Sequence, residues 1–152
     1  MKVRITRILN RLYLDPFFLA LIPPVSLTID YSLTFHLAGS HDTVLGFEAS
    51  PVIRFVLENH LMVVYFISLL SLYFLASLAM LRWLKHTRYY PSGVACLLII
   101  GTAHFLGGLS WIARSSLYSM AVSLLTTSLF LLTALSLGRE LLTEGKKIQG
   151  DG

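Results

Sequence analysis

Charged side chains are scarce: they make up 13% of the 152 residues, whereas 55% of the residues are hydrophobic. Soluble domains contain about 25% charged residues, so this chain lacks the side chains that would cover a water-exposed surface. The scarcity of charge excludes an ordinary soluble domain and argues against a nucleic-acid-binding protein. We therefore expect one domain whose first partner is the lipid bilayer.

Cysteine is almost absent, since Cys96 is the only one and lies inside an apolar run. A single cysteine excludes an intrachain disulfide, a CxxC redox pair and a cysteine-rich zinc site. The net charge of +4 would indicate an acidic partner in a soluble protein. Here the basic residues lie in short segments beside apolar runs, where they orient a membrane protein.

Long apolar stretches fill most of the sequence. The run over residues 61–81 has 21 residues without a charge, close to the roughly 20 that cross about 30 Å of hydrocarbon. Similar runs predict four spans, at about 16–38, 61–81, 92–113 and 115–138. The sequence thus predicts a single all-α domain, an integral membrane four-helix bundle.

Helix signals refine the first span and both ends of the chain. Asp15 and Pro16 are typical of an N-cap and a first helical residue, and Pro23-Pro24 predicts a kink. Residues 1–14 separate a basic face from an apolar one, which predicts an N-terminal interfacial amphipathic helix; the alternative is a solvated basic tail. Residues 139–152 are predicted to form a polar tail with a short helical stub and disorder after it.

The distribution of basic residues predicts the topology. Ten of the twelve lie on one side: four before residue 15, three in the 82–88 loop and three after residue 138. Arg54 and Arg114 lie on the other side. The positive-inside rule then places both termini in the cytoplasm and the 39–60 loop outside, in a multi-pass protein of the cell membrane.

Asp30 is the sharpest functional signal, because an acid within a membrane-spanning helix needs a partner or water. It lies 14 residues beyond Pro16, and His104 lies 12 residues beyond Ser92, which corresponds to depths of about 21 Å and 18 Å at the helical rise. If the two helices are neighbours, the carboxylate and the imidazole meet in the outer half of the membrane.

Further polar residues are expected near this pair. Ser26 and Thr34 flank Asp30 at four-residue spacing, and Glu48 precedes Ser50-Pro51, a predicted helix start. Arg114 lies on the same predicted side. Oxygen and nitrogen ligands of this kind hold divalent cations, so Asp30, Glu48 and His104 are candidate metal ligands.

Three readings of these residues stay open. Asp30 can serve as structural glue, hydrogen-bonded to His104 or paired with Arg114; it can belong to a metal or catalytic site; or it can take part in ion or proton transport. Glu48 can equally be a solvated acid beside a helix N-terminus.

The sequence also resembles a known family. Asp30 with Thr34, then Gly46, Glu48 and Pro51 before an uncharged span, are similar to an uncharacterised family of small four-span prokaryotic membrane proteins with an Asp-x-x-x-Thr … Glu-x-Asn-Pro pattern. The match covers residues 25–80, and Ser50 stands where the family has asparagine. The resemblance implies a polytopic membrane protein with an acid pair at one face, without an activity or cofactor.

These observations favour a binding or accessory membrane protein with a polar site near its outer face. The alternatives are a metal-dependent membrane enzyme that uses Asp30, Glu48 and His104, and a small ion or proton carrier. The carrier reading requires a homo-oligomer, because 17.0 kDa leaves little room for a water-filled path in one chain. A larger membrane complex is a further expected setting for the accessory role.

Overall fold

The computed structural model describes residues 13–48, 50–113 and 115–150, and for residue 137 and residues 140–150 it describes the backbone alone. This part of the chain forms seven helices: α1 (Pro16–Ala20), α2 (Ile22–Ala38), α3 (His41–Phe47), α4 (Pro51–Glu58), α5 (Met62–Leu84), α6 (Tyr90–Ala113) and α7 (Ser116–Gly150).

Four helical stretches are long and apolar enough to cross a membrane: Pro16–Ala38, Met62–Leu84, Tyr90–Ala113 and Ser116–Ser136. The first combines α1 and α2, and the last is the N-terminal part of α7. Their bounds agree with the predicted spans to within three residues. The all-α fold and the four-helix membrane bundle are thereby confirmed.

The first span has an irregular turn beside the two prolines for which the sequence predicts a kink. Asp15 caps α1 as predicted, because its Oδ1 accepts a hydrogen bond from the Phe17 N–H at 2.9 Å. The helix is interrupted at Leu21, directly before the two prolines in the first turn of α2. Proline is tolerated there because a first-turn N–H has no partner within the helix. The Thr28 hydroxyl donates to the Pro24 carbonyl at 2.8 Å.

Helices α2 and α6 pack closely and run in the same direction. A Cβ added to Gly101 would lie 2.7 Å from Ile22 Cγ2, and one added to Gly108 would lie 2.9 Å from the Cα of Asp30. Both positions therefore need a residue without a side chain. This close approach brings the middle of α2 against the face of α6 that carries His104.

The end of the bundle formed by the α5–α6 turn has the main apolar core. Leu81 and Leu84 of α5 pack with residues at and after the turn, namely Tyr89, Tyr90, Val94 and Leu97. Helix α1 contacts α5 at the same end, where the rings of Phe17 and Phe74 are 5.5 Å apart and nearly perpendicular. We call this end the turn end.

Two short helices cover the opposite end, which we call the loop end. Gly39 ends α2 with a left-handed φ of 75°, and the hydroxyl of Ser40 caps α3 by accepting from Thr43 N–H.

Ser50 caps α4 as predicted, since its Oγ accepts from Ile53 N–H at 3.4 Å. His60 turns the chain into α5 with a φ of 57°, a helix-ending conformation in which Leu61 N–H donates to the Val56 carbonyl.

Helix α7 lies on the outside of the bundle. It packs against α6, where the Tyr118 hydroxyl donates to the Leu106 carbonyl at 3.3 Å. None of the residues in its apolar stretch, Ser116–Ser136, is buried. The helix continues to Gly150, further than the short stub predicted from the polar sequence after residue 138. Residues 1–12 of the predicted interfacial helix lie outside the described residues.

Candidate functional site

Asp30, His104 and Tyr73 form a chain of hydrogen bonds between three spans. Asp30 Oδ2 lies 2.9 Å from His104 Nδ1, and His104 Nε2 lies 3.2 Å from the Tyr73 hydroxyl. The predicted contact between the acid and the imidazole is therefore present, and α2 and α6 are neighbours. A carboxylate can only accept, so the tautomer that satisfies both contacts donates from Nδ1 to Asp30 and accepts the Tyr73 hydroxyl proton at Nε2.

The Asp30–His104 pair, which we call the dyad, is only partly buried. The side chains of His104 and Asp30 keep 21% and 19% of their accessible surface. They lie on the wall of a cavity of about 350 Å³ at the loop end. This volume falls within the range of small-molecule sites, about 300–1,000 Å³.

Residues from α2 to α6 line the cavity. Its acids are Asp30 and Glu48, its hydroxyl residues include Thr34 and Ser110, and its aromatic residues are Tyr31, Phe35, Tyr65, Tyr73 and Trp111. Trp111 is fixed by an edge-to-face contact with Phe47, with ring centroids 6.3 Å apart. The cavity is thus lined by five aromatic side chains and two carboxylates, together with other residues.

Glu48 reaches the cavity from the end of α3. Its Oε1 accepts a hydrogen bond from the Ser50 N–H at 2.7 Å, so the same short segment that caps α4 also fixes this carboxylate. Glu48 lines the cavity together with Asp30. Glu48 therefore lies both at the cavity wall and beside the N-terminus of α4, so both readings of this residue stay open.

The predicted supporting residues separate. Thr34 lines the cavity, whereas Ser26 packs against α6, with its Oγ 3.0 Å from the position of a Cβ on Gly101. Ser26 therefore belongs to the helix contact and not to the cavity wall. Arg114 lies outside the described residues.

The predicted metal centre is not assembled. Among the described residues, no group of three or more His, Cys, Asp or Glu side chains is placed to hold a metal ion. Asp30 and His104 are bonded to each other, and Glu48 does not join them as a third ligand. Structural zinc sites need four ligands and catalytic ones three protein ligands, which this pair does not supply.

Helix α5 contributes cavity residues that were not predicted from the sequence. Tyr65, Leu69 and Tyr73 recur every four residues and all line the cavity. This spacing puts them on one helix face, which is a usable signal for a polar stripe. The signal is ambiguous because tyrosine in a span without charges is also common at packing positions and at the membrane interface.

Comparisons with known proteins leave the family open. The chain matches no protein-family model, and no similar curated protein or solved structure was found. The resemblance to the four-span prokaryotic family therefore remains a prediction.

Proposed function

We propose that this chain is a membrane protein that binds a small molecule in the cavity at its loop end. The observation that carries the proposal is the position of the Asp30–His104–Tyr73 chain on the wall of a 350 Å³ cavity. Sites for small molecules are typically concave, mostly apolar and furnished with a few fixed polar groups. This cavity is concave and combines apolar side chains with fixed polar groups.

The proposal includes the orientation that the basic residues predict. Both termini and the turn end lie in the cytoplasm, and the cavity opens near the outer face of the cell membrane. The 82–88 loop, with three basic residues, lies at the turn end, and Arg54 lies at the loop end. A ligand would then come from outside the cell or from the outer leaflet.

The structural-glue reading accounts for less of the geometry. A buried pair that serves only to hold helices together is normally enclosed by packed side chains, because exposed polar contacts stabilise little. Here about a fifth of each side chain remains accessible. The carrier alternative has support from the hydrogen-bonded chain, but the turn end is filled by the cluster around Leu81 and Leu84.

Fluorescence of Trp111 offers a direct test of ligand binding. The chain has two tryptophans, and the other, Trp83, is 70% exposed, so Trp83→Phe leaves Trp111 as the reporter. The full chain in maltoside micelles is titrated with three probes: benzyltrimethylammonium, its uncharged carbon isostere neopentylbenzene, and benzenesulfonate. We expect at least one probe to change the emission saturably.

A cavity-filling variant identifies the binding site. Ser110 lines the cavity, so Ser110→Phe in the Trp83→Phe background should abolish the saturable response. Leu117, 72% exposed on α7, provides the matched control, because Leu117→Phe adds an aromatic ring outside the cavity. If no probe responds, or if Ser110→Phe responds like the control, the proposed function is wrong.

A further inference from the structure

We propose that the cavity selects an organic ammonium cation with an apolar substituent, an inference that rests on the proposed function and names its ligand class. Three features carry it: the sign of the charge on the wall, the aromatic lining and the size of the cavity.

The charge on the wall is negative. Asp30 and Glu48 contribute carboxylates, and none of the described residues that line the cavity is lysine or arginine. Asp30 is paired with His104, and the Glu48 carboxylate has no lysine or arginine beside it in the part of the cavity wall that the structure describes, so the wall is negative with either form of the imidazole. Carboxylates close to hydrocarbon are poorly solvated, so a cation between them is stabilised while an anion is repelled.

The aromatic lining favours an organic cation. Tyr31, Tyr65, Tyr73 and Trp111 surround the same space as the two acids. The faces of such rings attract alkylammonium groups, and cages of this kind recognise quaternary ammonium ligands. A hydrated inorganic cation gains less from them, because its water shell prefers hydroxyl and carboxylate oxygens.

The size of the cavity indicates a substituted ammonium ion. A volume of about 350 Å³ accommodates an ammonium group with an aryl or alkyl substituent. Apolar side chains, among them Leu69 and Ile53, line the cavity beside the acids, so an apolar substituent has surface to pack against.

The three probes of the fluorescence titration test the selectivity. We expect benzyltrimethylammonium to bind at least about tenfold more tightly than neopentylbenzene, which has the same shape without the charge, and benzenesulfonate to bind most weakly. Equal or tighter binding of neopentylbenzene or benzenesulfonate, with the response still lost in Ser110→Phe, would overturn the cation inference and leave the proposed function intact. A response to no probe would overturn both.

Matched charge deletions test whether the acids on the wall act locally. Glu48→Gln is expected to weaken benzyltrimethylammonium binding about tenfold and to leave neopentylbenzene unchanged. Glu58→Gln is the control, because Glu58 is an exposed acid at the end of α4 that does not line the cavity. Asp30→Asn is the second cavity variant, at nearly equal volume. Equal effects of Glu48→Gln and Glu58→Gln would contradict the inference.

Lipid nanodiscs distinguish the source of the cation. If the ligand is a choline headgroup of a lipid, phosphatidylcholine discs will raise the apparent Kd of benzyltrimethylammonium relative to discs of digalactosyldiacylglycerol, an uncharged lipid without choline that does not concentrate the cation at its surface. If it is a free amine, the Kd will be the same in both. Either result supports an ammonium site. A Kd that is lower in phosphatidylcholine discs would contradict it, because competition has the opposite sign.

Discussion

Gly108 lies against the backbone of Asp30, so close that a Cβ on the glycine would be 2.9 Å from the Asp30 Cα. Neighbouring Gly107 faces the same residue, but its Cβ would meet only the Asp30 carboxylate, with Oδ2 at 3.5 Å. One glycine thus sets the separation of α2 and α6, and the other lies beside the polar dyad at an ordinary contact distance.

This difference predicts opposite results for two alanine substitutions. Gly108→Ala should destabilise the protein by about 1–3 kcal/mol, because backbone cannot move aside without separating the helices. Gly107→Ala should be neutral or stabilising, since alanine favours helix by up to about 1 kcal/mol over glycine. Unfolding of both variants in mild detergent checks the prediction. A Gly108→Ala variant as stable as Gly107→Ala would show that the helices separate easily.

The hydrogen bond to Asp30 predicts the tautomer of His104. When the imidazole is neutral, we expect its proton on Nδ1, because the carboxylate accepts there and the Tyr73 hydroxyl donates to Nε2. Nitrogen-15 NMR of histidine-labelled protein measures this, with the signal assigned by its loss in His104→Ala.

Two variants separate the partners of the imidazole. Tyr73→Phe should leave the proton on Nδ1, since Asp30 still accepts it. Asp30→Asn should give a mixture of tautomers, because an amide can present either its oxygen or its nitrogen. A proton on Nε2 in the native chain would mean that the Asp30–His104 contact is not the one formed in solution.

The membrane orientation is testable with cysteine labelling. Cys96→Ser removes the only cysteine, and Glu58→Cys or His86→Cys then places one thiol at an exposed position of the loop end or of the turn end. A membrane-impermeant maleimide applied to intact cells should label position 58 and leave position 86 unlabelled until the cells are opened. The reverse pattern would place the cavity at the cytoplasmic face.

The small number of metal-coordinating side chains at the site predicts how much metal the purified protein contains. Protein purified without chelator should hold well below one equivalent of transition metal, because Asp30 and His104 supply two potential ligands where a zinc site needs at least three. Elemental mass spectrometry of the native chain and of Asp30→Asn and His104→Ala checks this. One equivalent in the native chain, lost in both variants, would restore the metal-enzyme alternative.

The dyad was predictable because an ionisable side chain within the membrane costs free energy unless it has a polar partner. Asp30 needed a partner within hydrocarbon, and His104 was the ionisable residue at matching depth, so rise per residue was enough to pair them. The caps at Asp15 and Ser50 were equally local, since their side chains bond within their own helix turn.

The rest of the site depends on helix rotation and neighbour choice, which the sequence does not encode locally. Tyr73 reaches His104 because α5 turns its tyrosine face towards the cavity, and an apolar span gives little sign of which face that is. The described residues do not form a three-ligand metal group, for a related reason. Glu48 bonds to the backbone two residues ahead, a contact that competes with any distant partner.

The irregular turn at Leu21 separates two parts of the first span that differ in their packing. The part before it contacts α5 through Phe17 and Phe74, and the part after it packs closely on α6 at Gly101 and Gly108. The two prolines after Leu21 have no N–H to donate, so we expect bending of this span to occur at that turn rather than beside Asp30.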